Sequence, residues 1–114
     1  MEKTASDRLQ RTMNFIAQQR GPRGDGGAYV YLVGCKGFVK IGIATDPYDR
    51  LNQMQVGNPF RLVLLGTLHT FTPIEDEAAF HAKFAKWGVR GEWFKMPAAV
   101  QERLLERFKG GRLP

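Results

Sequence analysis

The sequence predicts an α+β domain: a small three-stranded antiparallel sheet flanked by helices, with an extra N-terminal helix. Three observations predict it. Residues 29–33 and 38–43 are short runs rich in β-branched and aromatic residues, and Gly34-Cys35-Lys36-Gly37 lies between them as a tight hairpin turn. A third apolar run spans 61–71. Asp46-Pro47 and Thr72-Pro73-Ile74-Glu75 are helix-start signals, a capping side chain followed by a proline whose fixed φ suits the first turn.

In chain order, Leu9, Met13 and Ile16 recur at helical spacing and predict a helix over 5–20. Gly21 to Gly27 (GPRGDGG) then breaks regular structure and is expected to be a flexible linker. The helix opened by Asp46-Pro47 is expected to run to Val56, before Gly57. The third strand carries Leu62, Leu64 and Leu68 on one side and Val63, Leu65 and Phe71 on the other, so both faces should be covered. Thr72 and Glu75 have capping-box spacing, and their helix is expected to reach Trp87. Gly91-Glu92-Trp93-Phe94 is a short extended piece with both aromatics in the core. Pro97 opens a last amphipathic helix with Val100, Leu104, Leu105 and Phe108, ended by Gly110-Gly111.

The chain has 114 residues, enough for one domain with its own core, and 43% of them are hydrophobic, too many for a disordered chain. Cys35 is the one cysteine, so neither an internal disulfide nor a thiolate zinc cage can form within this chain. The longest aliphatic run, 62–65, is too short to cross a bilayer, and the first ten residues lack the apolar stretch of a signal peptide. A soluble cytoplasmic protein with no membrane partner is therefore expected. The formal net charge of +6 permits a polyanionic partner. It is spread evenly: residues 1–27, 28–96 and 97–114 each carry +2. Any nucleic-acid surface must be assembled by folding.

With the hairpin turn centred on Cys35-Lys36, Val33 faces Phe38, Tyr31 faces Lys40 and Tyr29 faces Gly42. One sheet face is then wholly aliphatic (Val30, Leu32, Val39, Ile41, Ile43) and must be core. The other carries Tyr29, Tyr31, Phe38, Lys40 and Gly42, which suits either a ligand surface or an ordinary solvent face. A lysine directly across from a tyrosine favours the phenolate form.

Tyr29-Val30-Tyr31-Leu32-Val33, then Lys40-Ile41-Gly42, then Arg50 resembles the GIY-YIG nuclease superfamily. Glu77, His81 and Phe84, followed by Gly91-Glu92-Trp93-Phe94, resemble its phage and bacterial branch, whose second motif is KIG. The resemblance covers residues 28–96. It implies a nuclease core there, a closing helix over 97–114 in the same domain, and an N-terminal helix and linker over 1–27 outside the core. It also implies a metal-dependent DNA endonuclease using a single divalent ion, Mg²⁺ or Mn²⁺. In that family the tyrosine at Tyr31 orients or deprotonates the attacking water, the arginine at Arg50 stabilises the phosphate, and the glutamate at Glu77 binds the ion. Lys40 replaces the second motif's tyrosine, as in the KIG branch.

The residues themselves suit phosphodiester hydrolysis, which needs an activated water and cationic charge on the phosphate. Tyr31, Lys40, Arg50 and His81 are the candidate catalytic residues, and Glu77 the candidate metal ligand. Pro47, Arg50, Leu51 and Met54 share a helix face, which puts Arg50 at the edge of the packed side. Glu77 and His81, four residues apart, share another. Glu92 is expected to pair with Arg90 or Lys95, and His69 has no motif behind it. A non-catalytic DNA-binding or protein-interaction module on the same fold remains the alternative, as does an accessory structural protein of phage or mobile-element origin.

Overall fold

A computed structural model describes residues 27–110. The helix expected over 5–20 and the linker before Gly27 lie outside the described residues. Five strands and three helices follow in the order β1 (Ala28–Cys35), β2 (Phe38–Ala44), α1 (Pro47–Gln55), β3 (Val63–Thr70), α2 (Pro73–Lys83), β4 (Gly88–Arg90), β5 (Trp93–Phe94) and α3 (Ala98–Leu105). They form an α+β fold around one antiparallel sheet in the order β3-β1-β2-β5-β4. The sheet has five strands rather than the expected three. The difference arises after α2, where a 3₁₀ turn at Ala85–Trp87 ends the helix short of the expected Trp87 and starts a second hairpin. That hairpin reverses at Gly91, whose φ of 55° suits glycine, and β5 pairs Trp93 with Lys40 and Phe94 with Val39. Among the described residues, no helix is long and apolar enough to cross a membrane.

The first hairpin is displaced by two residues from the expected register. Cys35 pairs with Phe38, Val33 with Lys40, and Tyr31 with Gly42. The turn is centred on Lys36-Gly37, whose φ values of 53° and 83° are both positive, as a two-residue type I′ connection requires. Glycine takes that conformation without strain at the second position, which explains why the turn moves toward Gly37. A shift of two residues preserves which side chains share a face but changes which face each other. Tyr31 and Lys40 are thus diagonal neighbours, not directly opposed.

The aliphatic face is core, as expected: Val30, Leu32, Val39, Ile41 and Ile43 pack with Phe80 and Phe84 of α2 and with Leu104, Leu105 and Phe108. The second face is not a solvent or ligand surface. Tyr31 and Val33 are fully buried there with Ala44 and Leu62, under Leu51 and Met54 of α1. A β-bulge separates the pairs Leu32–Gly66 and Val33–Leu64. It breaks the simple alternation on β3, so Leu68 joins Val63 and Leu65 on the α2 side instead of Leu64 on the α1 side. Phe71, expected inside, is 74% exposed beyond the end of the strand.

Helix caps follow the sequence in one case and depart from it in the others. Asp46 Oδ1 accepts from Asp49 N at 3.1 Å with Pro47 behind it, as its sequence predicts. Thr72 makes no such cap to Glu75. Its hydroxyl and that of Thr70 donate instead to the Asp76 carboxylate, at 3.2 and 2.5 Å. Pro97 is the N-cap of α3 rather than its first helical residue, and α3 ends at Leu105. The chain beyond it turns so that Lys109 forms a bridge with Thr67 at the outer edge of β3.

Gly42 admits the Tyr31 ring. A Cβ on Gly42 would lie 2.6 Å from Tyr31 Cζ and closer still to the hydroxyl. The ring is enclosed and cannot swing away. Gly42→Ala should therefore cost about 1–3 kcal/mol of stability through overpacking, as read from urea unfolding. Gly42→Ala combined with Tyr31→Leu should recover part of that loss. A Gly42→Ala protein as stable as the wild type would show that the ring can yield.

Candidate functional site

Ile41 organises the site. Its side chain is in the core, and its backbone groups point outward from β2, away from β1. Ile41 N–H donates to Glu92 O at 3.1 Å, which fixes the turn between β4 and β5. Ile41 O lies 2.8 Å from His81 Nε2. A carbonyl oxygen can only accept, so Nε2 carries the proton and, in the neutral ring, Nδ1 holds the lone pair. Phe94 meets the imidazole edge-on with ring centroids 5.1 Å apart, which further restricts its orientation.

One helical turn before His81, Glu77 projects from the same face of α2. Ligand-capable atoms of Glu77, His81 and Glu92 all lie within 4.8 Å of one another. His81 is 9% exposed and Glu92 2%, while Glu77 is half-buried. Lys40 reaches the same place from the second face of the sheet. Its Nζ is 3.3 Å from Glu92 Oε1, and Lys40 itself is only 7% exposed. Glu92 thus pairs with Lys40, not with Arg90 or Lys95 as expected. An acid placed between a reversing glycine and two aromatics that both pack inward is drawn into the interior with them. That pattern, Gly91-Glu92-Trp93-Phe94, was the available signal for a buried carboxylate.

Of the expected site residues, the structure brings Glu77, His81 and Lys40 together, with Glu92 as the addition. Tyr31 is on the neighbouring strand, across from Gly42, fully enclosed, with its hydroxyl 3.9 Å from Met54 Sδ. Arg50 stands on α1, on the other face of the sheet from α2, half-buried as its helix face predicts. Its Nη1 donates to Gln53 Oε1 at 3.5 Å, and its Nε is buried with no hydrogen-bond partner among the described residues. His69 is exposed and meets Tyr29 and Phe71 edge-on at the far end of β3.

The T5orf172 domain family matches residues 26–109, which is most of the chain and all of the site. The chain belongs to the T5orf172 domain family. No curated protein and no solved structure matches it. Every site residue of this T5orf172 domain therefore lies within the matched segment. The N-terminal stretch expected to stand outside the core lies almost wholly beyond the match, and the closing helix lies inside it.

A buried ion pair resists loss of one partner because the other is left in a medium that disfavours charge. Lys40→Met should lower the stability of the domain by about 3 kcal/mol, read from the urea midpoint at constant slope. Glu92→Gln added to Lys40→Met should restore part of it. A change of less than about 0.5 kcal/mol would class the pair as a solvated surface contact.

Proposed function

We propose that this T5orf172 domain is a divalent-metal-dependent DNA endonuclease that hydrolyses phosphodiester bonds by GIY-YIG-type chemistry and belongs to a phage or mobile-element system. The convergence of Glu77, His81 and Glu92 beside Lys40 carries the reading. A module that only held DNA would gain nothing from two carboxylates placed beside its buried lysine, since they repel phosphate. The same carboxylates become useful once a cation stands between them and the DNA. The donor set fits such an ion through its carboxylate oxygens, which suit Mg²⁺ and Mn²⁺. Family membership supports the phage association and a nuclease-related role.

On this reading Glu77 holds a single Mg²⁺ or Mn²⁺. When bound, the ion supplies positive charge to the scissile phosphate and a water of lowered pKa. Arg50 stands apart from this cluster, on α1, and its role rests on its planar fork, which would match two oxygens of a phosphate that reaches both. Lys40 neutralises and orients Glu92, and its ammonium adds positive potential where phosphate approaches. His81 is held in one tautomer by Ile41, so its lone pair faces one direction. Tyr31 is enclosed, so its part is to seat the Gly42 backbone rather than to exchange protons with bulk water. The net charge of +6 favours association with the polyanionic substrate.

Purified protein should nick supercoiled plasmid with Mg²⁺ or Mn²⁺ and stop with EDTA. Arg50→Ala should lower cleavage by about 10² or more while the melting temperature stays unchanged, because a transition-state cation is lost. No cleavage of duplex, branched or single-stranded DNA with either metal would favour the binding module. Unchanged turnover in Arg50→Ala would remove Arg50 from the site.

A further inference from the structure

We propose that the ion is held by three protein ligands, the carboxylates of Glu77 and Glu92 and His81 Nδ1, and that the imidazole makes the centre prefer Mn²⁺ to Mg²⁺. This rests on the reading that a divalent ion binds here, and it goes beyond the single carboxylate that the nuclease resemblance implies.

Three features of the site lead to it. The first is distance. Ligands on opposite sides of an ion with bonds of about 2.1–2.3 Å stand about 4.2–4.6 Å apart, and adjacent ligands are closer. Glu77, His81 and Glu92 each already offer a donor atom within 4.8 Å of the others, close to that spacing. The second is the tautomer. Metal-bound histidines characteristically donate their other ring N–H to a carbonyl or carboxylate, which fixes the ring and raises its basicity. The bond from His81 Nε2 to Ile41 O at 2.8 Å has that form, and on this proposal it assigns coordination to Nδ1. The third is Glu92 itself. A carboxylate has two oxygens, so one residue can meet an ammonium and an ion at once, and Glu92 Oε1 already lies 3.3 Å from Lys40 Nζ. Glu92 then joins the lysine to the metal.

The ligand set decides the preference. Mg²⁺ demands oxygen donors and keeps several waters, whereas Mn²⁺, although the weakest of the first-row series at an N/O site, is a softer ion that tolerates an imidazole nitrogen better than Mg²⁺ does. A site of Glu77 alone would bind both ions weakly and with little discrimination.

The test uses the wild-type protein without DNA. Mn²⁺-loaded protein is examined by pulsed electron paramagnetic resonance for the ¹⁴N coupling of a directly bound imidazole, and Mn²⁺ and Mg²⁺ binding are titrated calorimetrically. The ¹⁴N signal should be present. His81→Gln keeps a donor for Ile41 O. It should remove the signal and weaken Mn²⁺ by about tenfold or more, with Mg²⁺ changed by less than about threefold. Glu92→Gln should weaken both ions by about tenfold. His69→Ala removes the other histidine of the chain and should leave the titrations unchanged. Thermal melting confirms that each variant is folded, and the ¹⁴N measurement needs no variant at all. Absence of ¹⁴N coupling, or of Mn²⁺ binding up to millimolar concentration, overturns the proposal. If Mn²⁺ binding then depends on Glu77 alone, the nuclease reading stands with a single-carboxylate site. If Glu77→Gln also leaves Mn²⁺ binding intact, the ion lies elsewhere and the nuclease reading fails with it.

Discussion

The outward-facing N–H and C=O of Ile41 are the constraint on which the rest depends. A strand at a sheet edge exposes backbone donors and acceptors that must be satisfied by something. Here two unrelated parts of the chain satisfy one residue: the Glu92 carbonyl accepts from the N–H and the His81 imidazole N–H donates a hydrogen bond to the C=O. The first contact anchors the second hairpin and the second anchors α2. Because both anchors meet at the same residue, Glu92 and His81 are neighbours without any direct pairing in sequence. Glu77 follows for free from helical periodicity. The buried Ile41 side chain holds that backbone in place, so core packing and site geometry are the same fact seen from two sides of one residue.

Burial of the second sheet face changes where chemistry is possible. Tyr31 and Lys40 were expected on an open surface, yet α1 covers that surface with Leu51 and Met54. Past the point where the two-residue β5 ends, the rim of β2 is covered by His81 of α2 and the turn before β5 rather than by a strand, and it too is buried. Gly42 lies on that rim beyond β5, and its missing side chain lets Tyr31 fill the space behind it. A lysine emerging from an enclosed face at such a rim cannot remain solvated. It needs a carboxylate within reach, and Glu92 provides one.

Much of this fold was legible in the sequence and much of the site was not, for different physical reasons. The aliphatic face of the hairpin, the Asp46 cap and the Thr72-Pro73 start of α2 are local patterns, and each element begins where its pattern lies. The register was missed by two residues because glycines stand at both ends of the turn, and only the positive φ values at Lys36 and Gly37 choose between the centrings. Thr72 has the spacing of a capping box, but Thr70 is near enough in space to draw Asp76 into the competing network. β4 and β5 are too short to show periodicity. They exist because the edge of β2 offers backbone partners, a tertiary cause that no window of sequence contains. Glu77 and His81 were marked by the nuclease resemblance and placed on one helix face by their spacing, whereas the place of Glu92 follows from that same edge pairing.

Charge arithmetic gives the site its logic on the proposed reading. With both carboxylates ionised, Glu77 and Glu92 bring two negative charges and Lys40 one positive, so these side chains are together net negative and oppose a phosphate. A bound divalent ion reverses the sign locally, with Lys40 and the ion flanking one carboxylate. Phosphate attraction would then depend on the ion, although the protein as a whole is basic. On that reading the basic charge, spread evenly along the sequence, would bring DNA to the domain without specifying where it is cut, and the acidic cluster would limit cleavage to the metal-loaded state. Buried at the rim, Glu92 is poorly screened by solvent, so its charge acts at short range and near its full strength. A surface carboxylate at the same distance would be too weakly coupled to impose that order of events.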